Sequence, residues 1–151
     1  MPAHKANDPI TSYRIVSGAI AAMPLVYVAV ANIMKITGAL PASGIGQLDP
    51  AMVTPISLAL LAFGTTSSLT SMVLKKVLLE KLGVETQDAA ARFKATLICM
   101  ALSESGAVLG LVLMLLTGNM LYGGLLCGLS FAITYFHLPS RYWLEQGSPK
   151  D

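Results

Sequence analysis

Four long apolar runs dominate the chain, separated by short breaks in which polar residues, glycine and proline collect. The first extends from about Ile15 to Ile36, interrupted by Asn32 and Lys35. The second extends from about Met52 to Leu74, with Pro55 in its first turn, where a missing N–H costs little. The third covers about Ala95 to Leu116, and the fourth and shortest about Met120 to His137. About 20 apolar residues in helical form cross the ~30 Å hydrocarbon core of a bilayer. The pattern therefore predicts an all-α, four-transmembrane-helix bundle over residues 15–138, with an N-terminal segment 1–14 and a tail 139–151.

The breaks differ in kind. Gly38 to Pro50 is rich in Gly, Pro and Ser and reads as a loop. Between the third and fourth runs stand only Thr117, Gly118 and Asn119, which predicts a tight antiparallel hairpin. After Leu74 the helical pattern continues through Lys75, Lys76, Glu80 and Lys81 to Leu82; Gly83 then suits a helix end, and Thr86 with Asp88 a helix start. The helices flanking this connection are expected to project past the headgroups and pack on each other.

Composition agrees with a membrane protein. Hydrophobic residues make up 54% and charged residues 12% of the 151, about half the charged share of a soluble domain. The first run is too long for the ~7–15-residue apolar region of a signal peptide and lacks a cleavage site, so it reads as a retained helix. The net charge of +2 and the lack of basic–aromatic alternation give no reason to expect a nucleic-acid partner. Cys99 and Cys127 fall inside apolar runs and read as small buried residues. No cofactor or metal site is expected.

Basic residues set the expected orientation. In a four-span arrangement Lys5, Arg14, Lys75, Lys76, Lys81, Arg92, Lys94, Arg141 and Lys150 share one side, and Lys35 stands on the other. Both termini and the middle connection are therefore expected to be cytoplasmic, in a multi-pass protein of the bacterial inner membrane. Tyr135, Tyr142 and Trp143 beside Arg141 fit an interfacial aromatic belt, and Lys35 and His137, at span ends, are both placed to reach the interface.

Small residues draw membrane helices together, because apolar contact alone does not. Gly124, Gly128 and Ala132 form such a stripe in the fourth span; Ser103, Gly106, Ala107 and Gly110 form one in the third; Gly64, Ser67, Ser68 and Ser71 form one in the second. They predict a close-packed bundle, or close packing between copies. The hydroxyls from Thr65 to Ser71 either bond back to their own helix carbonyls or solvate an acid on a neighbouring helix.

That acid is Glu104, roughly ten residues from either end of the third span and too deep to reach water. An ionised carboxylate at such a depth costs several kcal/mol, about 2.5 or more on insertion scales. A carboxyl that is neutral in lipid and charged on meeting water can carry a proton. The competing reading is a protonated glutamate bonded to nearby serines as interhelical glue. No second ionisable residue lies deep, which favours a single-carboxylate mechanism over a relay.

The motif Ala101-Leu102-x-Glu104-x-x-Ala107-x-x-Gly110-Leu111-Val112 resembles the ion-carrying helix of the rotor-ring proteolipids of F- and V-type ATPases. The outward direction of the third span after a cytoplasmic connection matches as well. The resemblance covers the central hairpin, spans two and three; span two has Gly64 alone where the family carries a glycine repeat, and the loop reads Gly83-Val84-Glu85-Thr86. It implies that Glu104 binds and releases a proton or sodium ion, with Ser103 and Ser105 as auxiliary ligands, in a homo-oligomer or a larger membrane complex. Two other functions fit the residues: an accessory or assembly subunit, and a small oligomeric proton-coupled transporter. Intrinsic catalysis is least expected, since no H-E-x-x-H or Ser-His-Asp set occurs.

Overall fold

The computed structural model describes residues 9–81 and 89–139. Among them lie four helices: α1 (Pro9–Ile36), α2 (Pro50–Lys81), α3 (Ala89–Thr117) and α4 (Met120–His137). All four are long and apolar enough to cross a bilayer. The expectations for Gly83, Thr86, Asp88, Arg141, Tyr142 and Trp143 fall outside the described residues.

Three helices are longer than their apolar runs, because helical hydrogen bonding does not stop where hydropathy falls. The α2 helix opens at Pro50. Asp49 Oδ1 accepts the N–H of Ala51 at 2.8 Å, and Pro50 takes the first helical position, where no N–H is needed. Pro55 thus sits in the second turn rather than the first, and leaves the Ala51 carbonyl without its helical donor. At its far end α2 runs on to Lys81, with Lys76 and Glu80 paired at 4.0 Å on an exposed face. The α3 helix likewise begins at Ala89, before its apolar run.

The α3–α4 hairpin turns on two residues. Gly118 adopts φ +68°, the left-handed region that closes a helix cheaply only for glycine. Its N–H donates to Met114 O at 2.9 Å. Asn119 then caps α4, its side chain accepting the Tyr122 N–H at 3.1 Å. The α1–α2 loop rests on this turn: the Ile45 N–H donates to Leu115 O at 2.8 Å, a carbonyl that the end of α3 would otherwise leave open.

The α3 and α4 helices form the centre. The α1 helix lies against both from one side and α2 against both from the other, while α1 and α2 do not meet among the described residues. Near their N-terminal ends α1 and α3 are joined by Tyr13 stacked on Phe93, with ring centroids 4.1 Å apart.

Polarity is arranged inside out relative to a soluble domain. Buried positions include Ser17, Ser57, Ser68, Ser71, Thr96, Ser103, Ser130, Thr134 and His137, whereas Leu25, Ile33, Leu58, Phe63, Val73, Leu125 and Phe136 face outward. Water would penalise such an exterior; hydrocarbon would not.

The α4 inner face reads Gly123, Leu126, Cys127, Ser130, Ile133, Thr134 and His137, spaced three and four apart. Gly123 is the glycine of closest approach here, since a Cβ on it would run into the Gly110 carbonyl and the Met114 side chain. Gly124 and Gly128, from the stripe the sequence offered, are turned the other way, with nothing within 4 Å of either. They line an outward furrow with Met120, Leu121, Leu125 and Leu129.

Candidate functional site around Glu104

Glu104 lies at the middle of α3 and is half-buried toward α1. Its partner is Tyr27, whose hydroxyl donates to Glu104 Oε1 at 2.8 Å across 77 residues of sequence. This is the usual separation for a hydroxyl donating to an oxygen. Tyr27 belongs to an apolar cluster: it and Val28 on α1 pack with Leu111, and with Ala31, Ala107, Met114 and Cys127. One acid meets one phenol beside this apolar cluster.

Ser103 and Ser105 flank Glu104 in sequence but serve other helices. The Ser103 hydroxyl donates to Ser130 O at 3.2 Å and accepts from Thr134 Oγ1 at 3.0 Å. The Ser105 hydroxyl donates to Leu102 O at 2.7 Å and lies 2.6 Å from Ser67 Oγ. Adjacent helical residues point about 100° apart, so the three side chains diverge. The expected ligand trio of Glu104, Ser103 and Ser105 is therefore not gathered at one point.

Of the two roles foreseen for the hydroxyls of α2, bonding back to their own helix holds for some and bonding to the acid for none of the described ones. Thr66 and Thr70 bond back to Ala62 O and Thr66 O. Ser67 and Ser68 cross to α3 and α4 instead, Ser68 Oγ lying 3.3 Å from Ser103 O and 3.1 Å from Ser130 Oγ. None of these reaches Glu104, which faces α1. They form a separate seam among α2, α3 and α4. Gly64 and Gly106 make room for it: a Cβ on Gly106 would collide with Ser68 Oγ, come within 2.7 Å of Ser130 Oγ and within 2.9 Å of Gly64 O.

His137 closes this seam. It is buried at 3% exposure rather than free at an interface, with Nε2 3.0 Å from Ser71 Oγ. Ser71 Oγ donates its single proton to Ser68 O at 2.6 Å, so the imidazole must be the donor in the Ser71–His137 bond. The histidine is thus held as a structural link between α2 and α4, not as a base for Ser71.

Tyr27 was not legible as a site residue: a lone tyrosine within an apolar run carries no signal until helix rotation places it opposite an acid. The Ser71–His137 pair is similar, with its members 66 residues apart. No family model, curated protein or solved structure matches the chain.

Proposed function

We propose that the chain is a multi-pass membrane protein, with both termini and the α2–α3 connection cytoplasmic, whose Glu104 takes up and releases a proton. The nine-to-one split of basic residues supports the orientation, and the apolar exterior with its polar interior supports insertion. The observation that carries the functional reading is the Tyr27–Glu104 hydrogen bond at mid-helix, beside an apolar cluster. A hard metal cation gathers several oxygens at once. Among the described side chains Tyr27 supplies the hydroxyl bonded to Glu104, while Ser103 and Ser105 are engaged elsewhere. A proton needs no such set, so this reading favours a proton over sodium.

The reading places the chain with proteolipid-like subunits that work in a homo-oligomer or a larger complex. The alternative is an accessory subunit in which Glu104 anchors α1, and the same bond favours it, because it ties α1 to the central pair.

A hydrophobic carbodiimide, which attacks protonated carboxyls, separates the two on the full chain in liposomes. Proton exchange predicts Glu104 labelling that fades as pH rises and is indifferent to sodium. Labelling blocked by sodium would replace the proton with that ion, and inertness at every pH would leave the anchor. The Glu104→Gln variant adds a second arm, since its amide oxygen still accepts from Tyr27 but carries no titrating proton.

A further inference from the structure

At the end of the bundle where α1 begins and α4 finishes, a cleft of about 400 Å³ opens between the two helices. Thr11, Arg14, Ile15 and Gly18 line it from α1, and Leu138 and Pro139 from the end of α4. The four α1 residues are spaced three and four apart, so they share one helix face. Along it polarity is graded: the Thr11 hydroxyl and Arg14 guanidinium come first, then the apolar Ile15, then Gly18. Nothing lies within 4 Å of where a Gly18 side chain would begin, so a furrow leads from the guanidinium down the helix.

Arg14 lies at the edge of the first apolar run, where the headgroup layer falls if α1 crosses a bilayer. On the same side of the chain stand Lys75, Lys76, Lys81, Arg92 and Lys94. A guanidinium grips phosphate through paired donors, with a hydroxyl as a further donor. The furrow below matches an acyl chain and not a free ion.

We propose that this cleft binds an anionic phospholipid, the phosphodiester on Arg14 and Thr11 and one acyl chain along Ile15, Gly18 and Leu138. The bound lipid wedges between the start of α1 and the end of α4. It fixes the angle at which α1 meets the central pair, independently of what Glu104 does.

Native mass spectrometry of the full chain in detergent, titrated with phosphatidylglycerol or phosphatidylcholine, tests this. A single basic contact near a membrane surface is worth about 1 kcal/mol, so the first phosphatidylglycerol should bind about fivefold tighter than phosphatidylcholine. Arg14→Gln should bring the ratio close to one. Gly18→Leu, which fills the furrow without touching charge, should weaken both lipids while leaving their ratio. Lys76→Gln, an exposed basic residue of the same end (80% exposed), should change neither. Equal loss of preference in Lys76→Gln and Arg14→Gln would overturn the site in favour of diffuse charge. Displacement of the lipid by millimolar inorganic phosphate would overturn the lipid as occupant, and an unchanged ratio in Arg14→Gln would overturn the role of the guanidinium.

Discussion

Replacing Gly106 with alanine adds one methyl group where α2, α3 and α4 meet most closely. The added carbon would collide with Ser68 Oγ and lie 2.7 Å from Ser130 Oγ and 2.9 Å from the Gly64 carbonyl. The two hydroxyls can rotate away, but only by giving up their mutual 3.1 Å hydrogen bond and the Ser68 contact with Ser103 O. The Gly64 oxygen is backbone and moves only with the helix. Overpacking of this kind costs about 1–3 kcal/mol, and each interhelical hydrogen bond lost adds about 0.6 on average. Set against the roughly 1 kcal/mol that alanine gains over glycine inside a helix, the expected net cost of Gly106→Ala is about 1–3 kcal/mol. Gly124→Ala, on a face where nothing approaches within 4 Å, should hold or gain stability, by up to about 1 kcal/mol, because alanine is the better helix former. Reversible unfolding in mixed detergent micelles, followed by circular dichroism, measures both. A second substitution, Ser68→Ala, removes the nearest obstacle and should recover part of the loss in Gly106→Ala, but not the part due to the Gly64 carbonyl. Equal stability of Gly106→Ala and Gly124→Ala would refute this account of how α2 seats on α3.

Other outcomes follow from the polar contacts. Tyr27→Phe frees the Glu104 carboxyl while keeping the ring, so carbodiimide labelling at fixed pH should quicken, and stability should fall by about 0.6 kcal/mol and by no more than about 1.7. Ser71→Ala leaves the buried His137 donor without its acceptor and should cost about 1–3 kcal/mol, whereas His137→Leu costs less, because the Ser71 proton remains on Ser68 O; the same unfolding assay ranks them. Cys99 and Cys127, at 0% and 1% exposure, should ignore an impermeant maleimide. Against that silent background Ser43→Cys should label from outside intact cells, and Lys76→Cys only after permeabilisation.

Hydropathy found the four helices because each carries about 20 apolar residues together. It missed where three of them begin; α2, for one, starts by the capping chemistry of Asp49 and Pro50 rather than by apolarity. Glu104 stood out as an acid among apolar neighbours, but its partner did not, since pairing depends on helix rotation that a single run does not encode. The glycines show the same limit. Gly64, Gly106 and Gly110 lie on contact faces, yet of the adjacent pair Gly123 and Gly124 the four-residue rule picked the outward member. The inner face of α4 follows Cys127, Ser130 and Thr134, a register marked by small polar residues as much as by glycine.

The separation of Tyr27 from Glu104 also has a temporal side. Synthesis delivers α1 first, when the Tyr27 hydroxyl has no Glu104 to accept it, and 77 residues must follow before the carboxyl emerges. If α1 inserts as proposed, it must persist in lipid before α3 is made, which its run without an acid from Ile15 to Ile36 permits. The α3 helix follows α1 and α2 in the chain, so the Tyr27 hydroxyl has already been made when Glu104 emerges. Chain order thus makes the phenol before the acid that it bonds. Moving α1 to the C-terminus by circular permutation would reverse that order while leaving every final contact available.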